Sequence, residues 1–229
     1  DNAIQRALND TRTVCVMSEF TARCLEEHFG YPKERCHLVP PAIETAVIPE
    51  TCERETQNYL LYPAVTWAHK EHKFLIKVIE QFKDLDLVLV GGRGPLHNEV
   101  LKAIQRSPAS DRITHLGTVD QEKLDDLYRR ALCTAFPSQY EGFGQPVIEA
   151  MARGCPVISS QGGALPDTVG TGGITIPTEL DQWIEAVNTV RQPDRRQQWI
   201  ENGFKRAADF SNDQAATAQL AVYNKLLRQ

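Results

Sequence analysis

Several things are missing from this sequence, and each absence closes off a class of function. There is no excess of basic residues: 25 lysines and arginines stand against 30 aspartates and glutamates, a formal charge of −5. Without a broad positive surface, nucleic acid is not an expected partner. No apolar run approaches the roughly 18 residues of a membrane span, and the first residues carry no signal-peptide pattern. The six cysteines (Cys15, Cys24, Cys36, Cys52, Cys133, Cys155) never fall in a C-x-x-C pair. Cys15, Cys133 and Cys155 lie in or beside apolar runs, where a thiol behaves as a small hydrophobe. Reduced, structural cysteines are expected, and with them a cytoplasmic protein. Internal repeats and low-complexity tracts are absent, and no G-x-S-x-G elbow surrounds Ser159 and Ser160 to support serine hydrolase chemistry.

What is present is a core-forming composition, 41% hydrophobic, arranged in a regular alternation. "TVCVM" (Thr13–Met17) reads as a short strand, and "SEFTARCLEEHFG" as a helix from a Ser18 N-cap to a Gly30 stop. "CHLVPPAIE" is a brief strand followed by a proline pair, and the polar stretch from Ala46 to Gln57, with Pro49, suits a linker. Beyond it, "YLLYPAV", "LDLVLVGG", "ITHLG", "CTAFPS", "PVISS" and "GGITIP" read as strands. Between them lie helices: "HKFLIKVIEQF", a segment from about Leu96 to Gln105, "DQEKLDDLYRRA", and one that opens near Pro146 and ends at Gly154. Leu180 to Gln229 reads as helical throughout. Apolar strands alternating with amphipathic helices predict an α/β fold, a doubly wound parallel sheet of Rossmann-like type covered on both faces. In such sheets ligands bind beyond the C-terminal strand ends.

One loop at that edge concentrates the chemistry. In "YEGFGQPVIEA" (Tyr140–Ala150), Glu141 and Glu149 flank a turn with two glycines and a proline. Gly142 and Gly144 let the backbone approach a ligand, Pro146 suits the first position of a helix, and a helix N-terminus favours an anion. The acids would repel a phosphate. Ionised carboxylates are acceptors only and suit a diol, so they should address sugar hydroxyls while the turn holds a diphosphate. The plainer alternative is that Glu149 favours the helix dipole and Glu141 is a solvated loop acid.

"PSQYEGFGQPVIEAMARGCPVISSQGGALPD" resembles the signature of the large retaining GT-B glycosyltransferase family 4, built round an E-x7-E motif. The likeness runs roughly from Val14 to Val190 and includes "VMSEFTARCLEEHFG" with "CHLVPPAIE", "WAHKEHKFLIKVIEQF" and "HLGTVDQEKLDDLYRRA". It implies residues 1–48 as the end of an N-terminal acceptor domain and hinge. It implies 49–229 as the nucleotide-sugar donor domain, the last helix crossing back to the first. By the same resemblance Glu149 binds the ribose diol and Glu141 the donor sugar. The backbone around Gly142, Phe143, Gly144 and Gln145 meets phosphates and sugar, Lys70 neutralises the diphosphate, and Thr118 and Val119 meet the base. The family transfers a hexose or deoxyhexose from a GDP- or UDP-linked donor, with retention and no metal cofactor, to a glycan or lipid-linked acceptor. The acceptor half is not in this sequence, so a fragment or one half of a two-chain enzyme is expected, the full enzyme associating peripherally with a membrane.

The sequence departs from the family pattern in places. The arginine usually found just ahead of Lys70 is absent from "PAVTWAHK", and Arg93 in "VGGRGP" is the candidate substitute. Asp167 stands where glutamate is usual and Ala42 where glycine is. "WAHK" resembles members that use mannose-type or deoxyhexose donors. Among rival motifs, the D-x-D of Asp84 to Asp86 precedes a strand instead of following one and reads as structural. His69 and His72 flank Lys70 without a third metal ligand, and Trp67, Trp183 and Trp199 read as packing residues, Trp67 alone near the site. The alternative function is a sugar-nucleotide binding or regulatory module without transfer.

Overall fold

The computed structural model describes residues 2–43 and 56–228. Most of the Ala46–Gln57 linker therefore lies outside the described residues. The chain opens with α1 (Asn2–Asp10), which the sequence pattern does not announce: Leu8 alone of its described side chains is buried. A small β-α-β unit follows, with β1 (Val14–Val16) and β2 (Cys36–Leu38) paired in parallel and α2 (Glu19–Phe29) between them. Both ends of α2 are set by the residues expected. The Ser18 hydroxyl accepts the Thr21 N–H at 3.1 Å, and Gly30, at φ 64°, donates its N–H to Glu26 O at 3.0 Å. Cys15 is exposed on this small sheet, contrary to the expectation of a buried thiol. Its neighbours on β1 point inward and it points out, the alternation of a strand with only one covered face.

The main sheet contains β3 (Tyr59–Pro63), β4 (Asp86–Val90), β5 (Ile113–His115), β6 (Cys133–Phe136), β7 (Val157–Ser159) and β8 (Ile174–Thr175). All neighbours are parallel and the order is β5-β4-β3-β6-β7-β8. The helices α3 (His72–Ile79), α4 (His97–Arg106), α5 (Gln121–Arg130), α6 (Gln145–Ala152) and α7 (Leu165–Val169) connect successive strands from β3 on. The chain ends in α8 (Leu180–Val190), α9 (Pro193–Ala208) and α10 (Asn212–Leu227). Leu60, Leu61, Leu87, Leu89, Cys133 and Phe136 are buried on both faces of the sheet, which is why the strand runs are apolar without alternation. The expected doubly wound sheet is the observed one.

Details differ where tertiary contacts override local pattern. α3 stops at Ile79, and the chain turns tightly through Gln81 and Phe82; Phe82 still reaches the core, with the Arg191 guanidinium 4.9 Å above its ring. α7 is too short to carry a helical period, so it escapes a sequence reading. The two halves of the sheet are wound in opposite directions from β3 and β6, which lie side by side. This strand reversal opens a crevice at their C-terminal ends, where a ligand site is expected.

Candidate functional site

Two loops meet at that crevice. After β3 the chain forms a single turn, Ala68–Lys70, and after β6 it enters the Glu141 loop. The two are joined by hydrogen bonds. Gln139 N–H donates to His69 O at 2.8 Å, and the Gln139 amide donates to Glu71 Oε1 at 2.6 Å. The buried Tyr62 hydroxyl donates to Lys70 O at 2.6 Å and lies 3.1 Å from Ser138 Oγ. Burial raises the Tyr62 phenol well above its ordinary range, so it stays a neutral donor. Glu71, at φ 52°, is the one non-glycine residue with positive φ among the described residues, and the Gln139 contact holds its side chain. Such a conformation persists where the surroundings over-determine it.

At the centre Lys70 Nζ lies 2.5 Å from Glu141 Oε1, with side-chain exposures of 16% and 13%. The ammonium also sits 5.6 Å from the Phe136 ring. Glu141 is braced from below by the loop after β7: Ala164 N–H donates to Glu141 O at 2.9 Å, and Gly163 packs so closely that a Cβ there would lie 2.4 Å from Glu141 O. From above, α2 is docked on the glycine turn. Ser18 Oγ donates to Gly142 O at 2.7 Å, and Thr21 Oγ1 does so at 3.3 Å. Phe20 meets Tyr140 edge-on at 5.5 Å, and Arg23 lies 3.6 Å from Asp167. The sequence placed Ser18 as a helix cap; that the same hydroxyl ties α2 to a turn 124 positions away has no local signal.

The Phe143 side chain is buried against Phe210, ring centroids 5.3 Å apart, so only its backbone can face a ligand. Gly144 adopts φ 90°, and Gln145 and Pro146 open α6. Pro146 lacks an N–H and Val147 N–H is used by Gly144 O at 3.0 Å, so this helix start presents fewer free donors than an ordinary one. Glu149, one turn in, accepts from Tyr128 Oη at 3.3 Å and Gln145 Nε2 at 3.0 Å. Both of its oxygens thus have protein partners, and burial first, then the Glu149 charge, hold the Tyr128 phenol well above its usual range.

Beside this pair a cleft of about 510 Å³ runs across the strand ends. Lys70, His69 and Trp67 form one side; Thr118, Val119 and Leu124 form another, with Gly91 at the end of β4 and Pro146 at the start of α6. The structure therefore brings Lys70, Thr118 and Val119 to one cavity, with Glu141 bonded to Lys70 at its edge. Arg93 is exposed on the loop after β4 and is not among the residues lining the cleft. Trp67 is 49% exposed, which corrects its assignment as a packing residue. Trp183 and Trp199 do pack: Trp183 is fully buried with its indole N–H on Pro177 O at 2.9 Å.

The remaining candidates fall outside. His72 is buried with its Nε2 3.3 Å from Ala64 O. Burial first, partly opposed by that carbonyl, and then the charges of His115, Lys70 and His97 bring its pKa down to about 4. Asp84 accepts from Arg191 at 3.0 Å at the opposite end of the sheet, and no group of three metal-ligating side chains occurs among the described residues.

Residues 45–206 match the family model described as glycosyl transferases group 1. O-antigen chain mannosyltransferase B of Escherichia coli is 27% identical over 243 residues, covering 99% of this chain and 64% of that protein. An O-antigen chain mannosyltransferase of Salmonella typhimurium is 30% identical over 163 residues, 70% of this chain and 46% of its own length. The chain thus spans two thirds or less of these relatives. Sucrose-phosphate synthase from Thermosynechococcus elongatus superposes with a TM-score of 0.87 over 99% of this chain and 61% of that one, at 24% identity, a likeness of fold. None of the described helices is long and apolar enough to cross a membrane.

Proposed function

The chain belongs to the group 1 glycosyl transferases, and from that membership we propose that it supplies the donor site of a retaining, family 4 enzyme of the E-x7-E type. Its Rossmann-like sheet is that of the GT-B glycosyltransferases. The proposed donor is a nucleotide-diphospho-hexose or deoxyhexose, GDP- or UDP-linked and of mannosyl type; the two mannosyltransferase relatives favour that choice. The acceptor, a glycan or lipid-linked sugar, is proposed to be held by an N-terminal domain of which 1–48 is the end and to which α10, the last helix of the donor domain, crosses back, with the full enzyme cytoplasmic and peripheral to a membrane.

The observation that carries this reading is the crevice at the strand reversal, where Lys70 is bonded to Glu141 beside a cleft walled by Thr118 and Val119. In the reaction the bond from the anomeric carbon to the diphosphate oxygen breaks, the electron pair leaving with the nucleoside diphosphate, while the acceptor hydroxyl oxygen bonds to that carbon on the same face and its proton passes to the departing diphosphate. Lys70 stabilises the departing charge as a point cation, the task a metal performs in other transferases. Glu141 accepts the donor sugar's hydroxyls and Glu149 the ribose diol. Gly142 to Gln145 bring backbone close to phosphates and sugar, and Arg93 adds long-range positive charge.

Calorimetric titration with GDP, UDP, ADP and their common sugar conjugates tests the proposal. Base-selective binding that falls by about 1–3 kcal/mol in both Lys70→Ala and Glu149→Ala supports it. Unchanged affinity in both variants removes it.

A further inference from the structure

Below the Thr118 wall lies a histidine with an unusual set of contacts. His115 ends β5, and its Nδ1 accepts the N–H of Gly117 at 3.1 Å. Gly117 stands at φ 72°, where glycine is favoured, and its carbonyl accepts the N–H of Gly91 at 2.8 Å. The turn leading into Thr118 and Val119 is therefore fixed at two points, to β4 through the backbone and to its own strand through an imidazole. A side-chain acceptor at i taking the N–H of i+2 is the geometry Asn and Asp provide in an Asx-turn. A ring nitrogen provides it only while that nitrogen carries no proton.

The surroundings keep it so. His97 of α4 meets the His115 ring edge-on at 5.0 Å, and His72 at the start of α3 shares the same electrostatic neighbourhood. His115 Nε2 and His97 Nδ1 are buried without a hydrogen-bond partner among the described residues. A second proton on His115 would place a cation among two basic rings and take the acceptor away from Gly117. Burial chiefly, and then His97, hold its pKa below the ordinary imidazole value, with its own backbone carbonyl pulling the other way.

We propose that His115 is a positioning residue whose unprotonated Nδ1 holds the Gly117–Val119 turn in the shape that receives the ligand's base, so that binding at this cleft is weakened by acid. The ligand half of this inference rests on the donor-site reading above; the tautomer half does not. Asn at this position presents Oδ1 where the ring presents Nδ1, and it does not titrate.

Two measurements test it. In nitrogen-15 NMR of the wild-type chain near neutral pH, His115 should appear as the Nε2–H tautomer with Nδ1 unprotonated, and the Gly117 amide should lose exchange protection as that ring protonates. An Nδ1–H or charged ring at neutral pH overturns the proposal whatever the ligand is. In calorimetry with the tightest binder among GDP, UDP and ADP, wild-type affinity should fall by roughly three- to tenfold on acidification beyond the fall seen in His115→Asn. The ratio of the two proteins cancels the titration of the ligand's phosphates and of His72. His115→Ala should be weaker than His115→Asn at neutral pH. A ratio that stays constant with pH, or Ala and Asn variants that bind equally, overturns it. If none of the three nucleotides binds the wild type, the donor-site reading falls and takes the ligand half with it.

Discussion

Replacing Glu141 with glutamine should strengthen the binding of a bare nucleoside diphosphate, an unusual direction for a change in a ligand site. Lys70 Nζ and Glu141 Oε1 lie 2.5 Å apart with both side chains mostly covered. At an effective dielectric constant near 20, the gross attraction at that distance is about 7 kcal/mol. Most of it is offset by desolvation, and a charge-assisted hydrogen bond retains about 1.5–3 kcal/mol net. An arriving diphosphate has to share or displace that bond and meets the carboxylate as a like charge. Glu141→Gln removes both obstacles, so bare diphosphate should bind roughly ten- to hundredfold more tightly, 1.4 kcal/mol being tenfold. The sugar conjugate should gain less, because the carboxylate proposed to accept its hydroxyls is gone. Parallel calorimetry of the wild type, Glu141→Gln and Lys70→Ala, with the same nucleotide and its sugar conjugate, reads both effects. If Glu141→Gln binds the bare diphosphate no better than the wild type, the pair is not what a ligand must displace, and the reasoning from the Lys70 contact fails.

Other consequences are as direct. Gly163→Ala combines a φ of 63° with a Cβ 2.4 Å from Glu141 O, so it should lower stability by at least ~1–3 kcal/mol in urea unfolding and weaken ligand binding by shifting Glu141. His72, whose folded pKa is about 4 against 6.5 for a free imidazole, contributes stability that is fully present above 6.5 and is lost as pH falls from 6.5 toward 4. The loss is about 3 kcal/mol. In His72→Phe the unfolding free energy should lack that part of the decline, and an unchanged pH profile would contradict the assignment. Ser18→Ala should cost about 1–2 kcal/mol through the α2 cap and should also loosen Gly142, visible as faster amide exchange in the 142–145 turn. Trp67→Ala should leave the unfolding free energy within ~0.5 kcal/mol of wild type, because the side chain is half exposed, and should alter ligand affinity alone.

Much of this molecule is written locally. The strands β3, β4, β6 and β7 are short apolar runs, and nothing but a sheet covered on both faces buries them; the caps of α2 are a serine and a glycine at the positions where helix ends need them. The Glu141 to Glu149 spacing, the glycines between and Lys70 ahead of α3 were all visible as chemistry. Elements without a period were not: α7 is five residues long, and α1 has a single buried described side chain. Cys15 reads as core because its neighbours are apolar, yet it is exposed, and no described residue covers it.

Apart from α1 and α7, the strands and helices, and the residue types available at the sheet's C-terminal edge, can be read from the sequence, because they depend on periodicity, caps and turns within a few residues. Which of them meet follows from how the strands are ordered. Lys70 and Glu141 are bonded because β3 and β6 are neighbours at the strand reversal; Thr118 and Val119 share a cleft with Lys70 because β4 and β5 run on its other side. Ser18 caps a helix by its own sequence but holds Gly142 through the docking of two sheets, and His115, at the end of β5, meets the ring of His97 from α4. The Lys70–Glu141, Ser18–Gly142 and His97–His115 contacts depend on strand order and packing between segments far apart in the chain, and no local pattern encodes them.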